Sequence, residues 1–308
     1  MFRKYSSAGA TNTTVGNMEL FFQQIVNGLI IGTTYAVVAI GFSLVFTVLR
    51  VINFAHPDIF MVGMFAGLLG GIYISDNFIV VFVCGVVGAA TVGFILERAI
   101  LRPLRDRDIL STLIATLGVG IVLQNSMAIL MGPDPISYPK ALPRFLVLDG
   151  PITLSLLQIV NGAVTLVIIL WLSYFVRATR YGRATRAIAE NPDVSAAFGV
   201  DVIKVSRVAV VMASGAAGAA AVSVGLLYGS AWAFVGILYG LKSFVCMLVA
   251  GNRYFEGVIA VAFFLGVLES LVTGYLSSSW RDGVAFVLLI VVLFFRPDGL
   301  FGSYKIKV

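Results

Sequence analysis

Nine apolar stretches take up most of this chain, near residues 19–49, 57–75, 78–99, 109–131, 152–176, 206–230, 236–250, 255–273 and 283–296. A hydrocarbon layer of roughly 30 Å is crossed by a helix of about 20 predominantly apolar residues, which is the length scale of these stretches. A soluble core helix of that length would keep a polar face. Stretches such as 109–131 and 255–273 are apolar on every side. The expected class is therefore an all-α polytopic membrane protein with about eight or nine transmembrane helices. The first stretch is long enough to be read as a broken helix.

Charge is scarce, at 12% of residues, and its placement is informative. A net charge of +6 would suit nucleic acid if the basic residues shared one folded face, but here they sit beside the apolar runs. Arg98, Arg102, Arg105 and Arg107 fall in one connection, and Arg177, Arg180, Arg183, Arg186, Lys204 and Arg207 lie in or beside another. The 132–151 connection carries only Lys140 and Arg144. The two rich connections belong in the cytoplasm. Counting from them puts the C-terminus inside, with Arg296, Lys305 and Lys307, and the N-terminus outside, against the mild dissent of Arg3 and Lys4. The first 17 residues lack the short apolar run and small-residue cleavage site of a secretory signal and read as a loose, uncleaved tail. A single membrane domain then spans 18–302, and 303–308 form a C-terminal tail.

Several chemistries are disfavoured. Cys84 and Cys246 both lie within apolar runs, which suits packing rather than a disulfide framework. His56 is the one histidine of the chain, so no metal centre is expected. No phosphate-binding GxxxxGK[ST] loop occurs, nor does any Ser/His/Asp constellation in a pocket-like context. No catalytic residue and no cofactor are expected in this chain.

An echo runs through the sequence. "VINFAHPDIFMVGMFAGLLGG" follows the first run and "YGSAWAFVGILYGLKSFVCML" follows the sixth, each joining spans through a short aromatic and small-residue linker. Two such units in corresponding halves suggest an inverted repeat, in which a substrate path lies where the repeats meet. On the first run, Gly28, Gly32 and Ala36 stand four apart and would let another backbone approach closely. Asn27, Thr33 and Ser43 on the same run could line a path for a polar solute. In "INFAHPD", Pro57 disfavours helix at the residue before it. His56 there either satisfies freed backbone groups or, with Asn53, lines a gate. Lys242 and Glu269 each lie in an apolar run, where an unpaired charge costs at least about 2.5 kcal/mol. They are expected to face the interior and pair, with a proton relay as the alternative.

The most polar segment is "RAIAENPDVSAAFGVDVIKVSR", residues 186–207. Asn191 can cap a helix that starts at Pro192 and is ended by Gly199. Glu190, Asp193, Ser195, Ala196, Ala197 and Phe198 complete this stretch.

With "NGLIIGTTYAVVAIGFSLVFTVLRVINFAH", "RATRAIAENPDVSAAFGVDVIKV" and "DGVAFVLLIVVLFFRPDGLFG", the chain resembles LivH-type permeases of bacterial branched-chain amino acid ABC importers, over about residues 18–302. Urea and short-amide permeases of the same superfamily look similar. The resemblance implies a type II importer fold in the bacterial inner membrane, a second permease of LivM type, two cytoplasmic ATPases that bind ATP and Mg, and a periplasmic binding protein. It also implies that Glu190–Gly199 is a coupling helix docking on an ATPase; a loop resting on lipid headgroups would carry more large apolar residues on one face. Where the family shows a glycine-rich "GGxGxxxG" turn, this chain reads "AGNRYFEG", which bears on the solute. An ion-coupled secondary transporter using Lys242 and Glu269 is the reading from another class.

Overall fold

A computed structural model describes residues 8–301 except 106, 149, 151 and 252–254, with side chains described from Met18 onward. The chain is all-α. In order come α1 (Ala8–Leu49), α2 (His56–Tyr73), α3 (Phe78–Leu96) continued by a π-helical turn (Glu97–Leu101), α4 (Ile109–Met131), α5 (Leu156–Ala178), α6 (Arg180–Glu190), α7 (Pro192–Ala197), α8 (Val202–Tyr228), α9 (Val235–Ala250), α10 (Phe255–Tyr275) and α11 (Arg281–Phe295). Seven of these segments are long and apolar enough to cross a membrane; α2 and α9 are not among them. Two small antiparallel ribbons close one end: β1 (Ile136–Ser137) with β4 (Ser230–Ala231), and β2 (Leu146–Leu148) with β3 (Leu154–Ser155).

Two expectations need correction. The first run is one unbroken helix, and it extends back to Ala8 into the segment read as a loose tail. Continuity follows from packing: the glycines of this run face α10, the close backbone approach that their spacing suggested. A Cβ on Gly28 would stand 2.5 Å from Val267 Cα, and one on Gly266 would stand 2.4 Å from the Gly28 carbonyl. The two backbones touch, as small-residue faces allow. Residues 1–7, the 302–308 segment and Asn252, Arg253 and Tyr254 of the "AGNRYFEG" turn lie outside the described residues.

The core is built around α1 and α8. From Tyr35 to Val45, α1 is buried throughout, and α8 is buried from Ala213 to Leu226. α8 can be central because Ala and Gly dominate that stretch, so α3 approaches until a Cβ on Gly218 would meet the Gly85 carbonyl at 2.6 Å. Around this pair sit α2, α3, α5, α9 and α10. Tyr138, from the connection between α4 and α5, plugs one end, donating from its hydroxyl to the Met64 carbonyl at 3.1 Å and lying flat over Gly225. Burial pushes its phenol above the usual tyrosine range.

The two echo units form the least regular part of the fold. After α1 ends at Leu49 the chain turns back, and α2 begins at His56 beside Gly41, about two turns inside the end of α1. After α8 the chain runs through β4 and Trp232–Phe234, and α9 begins with Gly236 against the Pro57 carbonyl. From this junction α2 runs toward Tyr138, and α9 runs the opposite way, toward Leu300, which donates to the Val249 carbonyl. The repeats are thus two partial helices whose N-termini meet inside the bundle and whose axes point apart.

Glycine contacts of this kind tolerate no added atoms. Gly28→Val should lower the melting temperature of the detergent-purified protein by at least about 2 °C, the scale of a 1–3 kcal/mol overpacking cost. Gly118→Ala, where a Cβ would meet nothing within 4 Å, should leave it unchanged. Thermal unfolding followed by tryptophan fluorescence reads both.

Candidate functional site

Three clusters of polar groups lie along the bundle. At the end where α1 begins, a cavity of about 540 Å³ is lined by Gln24, Asn27, Ser155, Gln158, Ser270 and Arg281 among others. Asn27 accepts hydrogen bonds from Gln23 Nε2 at 3.1 Å and Gln158 Nε2 at 3.2 Å, so the amides form one chain from α1 to α5. Ser155 caps α5 by accepting from the Gln158 amide, and the Gln158 side chain accepts in return from the Ser155 N–H.

Beneath that cavity lies a compact ion network. Glu269 on α10 is buried and shared: Lys242 Nζ stands 2.8 Å and Arg281 Nε 2.5 Å from its Oε1, while the Tyr35 hydroxyl donates to its Oε2 at 2.9 Å. Lys242 also pairs with Asp282 Oδ1 at 2.8 Å. The sequence-predicted residues Lys242 and Glu269 are brought together, but in company the sequence reading did not foresee. Arg281 and Asp282 open α11, and their position at the start of a span was the available signal. Two cations face two carboxylates, so the cluster is neutral in formal charge, and each buried ion has a partner, as burial demands.

In the middle lies the α2–α9 junction. Asn53 and His56 are both buried here, His56 with no exposed surface. Asn53 Oδ1 accepts from the Ala55 amide at 3.1 Å, but its Nδ2 and both ring nitrogens of His56 have no hydrogen-bond partner. Of the backbone, the Val38 carbonyl of α1 is the group that bears on the His56 ring. Its ring meets Phe42 edge-on with centroids 4.8 Å apart. Of the other candidates on α1, Thr33 accepts from Thr165 Oγ1 at 2.6 Å and is engaged in joining α1 to α5, while Ser43 is buried in the helix packing. Asp58 stands with Asn53 and His56 around Pro57 in the sequence. It is buried, and Gln124 Nε2 of α4 donates to its Oδ1 at 2.6 Å.

At the opposite end from the amide cavity, α6 and α7 project as a corner. Asn191 caps α7 by accepting from the Asp193 and Val194 amides at 3.0 and 3.1 Å. Pro192 opens the helix and Gly199 leaves it at φ +84°, a conformation that favours glycine. Glu190 belongs to α6 rather than to the capped helix. Ser195 faces inward, its hydroxyl donating to the Asn191 carbonyl, whereas Phe198 is 85% exposed. Ala196 and Ala197 are exposed beside it.

The helix α6 went unforeseen because its sequence is polar; it is nevertheless amphipathic, with Gly182, Thr185 and Ile188 buried. Arg50 fastens the corner to α1. It takes a left-handed conformation, φ +54°, and its guanidinium donates to the last carbonyls of α6, Ala189 at 3.0 Å and Glu190 at 3.2 Å. Arg186 similarly holds the Val176 carbonyl at the end of α5, and Arg177 pairs with Glu256 of α10. A cavity of about 600 Å³ lies among these arginines and acids. On the far side of α8, Arg207 Nε reaches Glu97 of the π turn at 3.3 Å.

Uninterrupted apolar spans, a pair of opposed partial helices and polar groups strung between two cavities define a multi-pass membrane permease. A family model described as the permease component of branched-chain amino acid transport systems matches residues 24–293, and the chain belongs to this family. It is 31% identical, over 93% of its length and 97% of theirs, to the high-affinity branched-chain amino acid transport system permease proteins LivH of Salmonella typhimurium and Escherichia coli K12. It is 30% identical, with the same coverage, to BraD of Pseudomonas aeruginosa. Among solved structures, PsaBC from Streptococcus pneumoniae in complex with Fab covers 91% of this chain and 92% of its own at a TM-score of 0.48 and 15% identity, a distant likeness.

The shared position of Glu269 makes the ion network asymmetric. Glu269→Gln takes the shared carboxylate from Arg281 and leaves Lys242 with Asp282 alone, and should cost about 3–5 kcal/mol, the scale for breaking a buried pair. Lys242→Met leaves Glu269 with Arg281 and Tyr35 and should cost clearly less. Comparing chemical denaturation of the two variants in detergent orders them; equal losses would contradict the geometry.

Proposed function

We propose that this chain is a transmembrane permease subunit of an ATP-driven importer and passes aliphatic amino acids of the branched-chain class. The names of its relatives support the solute class. The excess of arginine at the α6–α7 end supports an orientation with that corner and the C-terminus in the cytoplasm of a bacterial inner membrane. The amide-lined cavity then opens outward, where a periplasmic binding protein delivers the solute. ATP hydrolysis belongs to two cytoplasmic ATPase subunits, which would hold ATP and Mg; a second permease of LivM type completes the path. No catalytic role falls to this chain.

One observation carries this reading: the capped helix α7, held rigidly at its start and presenting a single exposed aromatic at its end. A short helix with Asn191 at one terminus and Phe198 and Gly199 at the other offers a compact knob. Arg50 ties the helix carrying that knob to the end of α1, so a displacement of α7 is passed to the linker that leads to Asn53 and His56. The ion-coupled reading finds less support, because Lys242 and Glu269 are fully engaged in a four-residue ion network.

Phe198→Ala and Gly199→Val should weaken ATPase binding or abolish solute-stimulated ATP hydrolysis while the permease still expresses. The effect of Phe198→Ala on folding should stay small, because Phe198 is exposed and exposed side chains are usually worth under about 0.5 kcal/mol; Gly199→Val strains the turn that leaves α7 at φ +84°, so its thermal stability is measured alongside. Copurified ATPase and stimulated hydrolysis, measured side by side, check this. Wild-type values for both variants would remove the coupling role of α7.

A further inference from the structure

The junction of α2 and α9 encloses a pocket of about 140 Å³ that the preceding sections leave without a task. Its walls are apolar, with Phe42, Phe54 and Phe244 on one side and Leu117 and Leu241 on the other, and its polar groups are Asp58 and Gln124. Phe244 packs on Phe42 and Phe54 with ring centroids 6.0 and 5.6 Å apart, forming a continuous aromatic surface. Asp58 is 3% exposed. One oxygen accepts from Gln124, and the other lies against Gly120, where an added Cβ would stand 2.3 Å away, with no hydrogen-bond donor among the described residues. No Lys or Arg lines the pocket. A buried carboxylate with a single neutral donor is unlike every other buried acid in this bundle. Glu97 and Glu269 both face cations.

The backbone adds a second feature. Asp58 stands in the first turn of α2, where the helix dipole favours an anion. α9 begins against it, close enough that a Cβ on Gly236 would stand 3.2 Å from Asp58 Oδ1. A buried carboxylate thus stands next to an aromatic wall. An acid beside an apolar surface is complementary to the ammonium group and hydrocarbon side chain of an amino acid. Around the same level, Asn53, His56 and Ser243 keep side-chain nitrogen or oxygen atoms without partners.

We infer that this pocket is a transit site for an aliphatic amino acid, with Asp58 taking the ammonium group and Phe42, Phe54 and Phe244 holding the side chain. This inference rests on the transport reading above and names the residues that would meet the solute within the membrane. Asp58 has a competing structural role, since it joins α2 to α4 through Gln124. Asp58→Asn separates the two: the amide oxygen can still accept from Gln124 and the volume is unchanged, so only the charge is lost.

The test uses the complete complex in proteoliposomes, with the binding protein supplied outside and radiolabelled leucine or alanine as solute, and reads uptake per ATP hydrolysed. Asp58→Asn should lower leucine uptake per ATP about tenfold or more, as loss of a desolvated charge partner does, and Asp58→Glu should restore much of it. Leu117→Trp, which fills the pocket from the exposed side of α4, should reduce leucine relative to alanine by about fivefold. Wild-type uptake per ATP in an assembled Asp58→Asn complex would overturn the inference and leave the importer reading standing. If that variant fails to assemble, Leu117→Trp decides alone, and an unchanged leucine-to-alanine ratio overturns the proposal. A wild-type complex that hydrolyses ATP but takes up no aliphatic amino acid would remove the solute reading itself, and this site with it.

Discussion

Non-helical backbone inside an apolar bundle has to be covered, because its N–H and C=O groups find no water there. This chain carries two such segments, the turn before α2 and the approach to α9, and Asn53, Ala55, Ala231 and Ala233 in them are all buried. Much else in the architecture serves that requirement. α1 and α8 run unbroken past the junction and enclose it, and their Gly- and Ala-rich faces allow α3 and α10 to close the surrounding ring without a layer of side chains between. Turns supply the missing bonds: the His56 amide donates to Asn53, Asp58 to Ala55, and Val235 to Trp232. The partial helices α2 and α9 exist only because the rest of the bundle shields where they start.

Charge is distributed by the same economy. In the deep interior Glu269 gathers Lys242, Arg281 and a tyrosine hydroxyl around one carboxylate, while at the α7 end arginines grip helix carbonyls that would otherwise lack donors. The first arrangement neutralises; the second fastens. Helix ends that must keep their relative positions are tied by guanidinium groups, whose planar fork can reach two carbonyls at once.

The apolar runs were legible because hydropathy over twenty residues is decided by composition, and eight of the nine appear as helices near their expected limits, the first reaching back to Ala8. The echo was legible for a related reason: a linker that must be buried is made of small and aromatic residues, and that departs from an ordinary polar loop. α6 was hidden because its buried face consists of Gly182, Thr185 and Ile188, too small and mixed to register against its arginines. The continuity of α1 was misjudged because the run is longer than one span needs, and the neighbour that its glycines meet, α10, lies more than two hundred residues away. The same distance problem governs the sites. Lys242 and Glu269 could be matched as lone opposite charges, but the contact of Asp58 with Gln124 crosses 66 positions, and no local pattern announces it.

The link from Arg50 to His56 is short in a way that has mechanical weight. Six steps of chain reach at most about 20 Å, and part of that length is already taken up by the turn at Asn53–His56. One end is pinned to the carbonyls of α6 and the other continues directly into α2. The Arg50 contacts and the Pro57 contacts thus lie at the two ends of one short linker, and because Gly236 and Gly240 lie directly on Pro57, any displacement that reached the start of α2 would meet α9 at the same point.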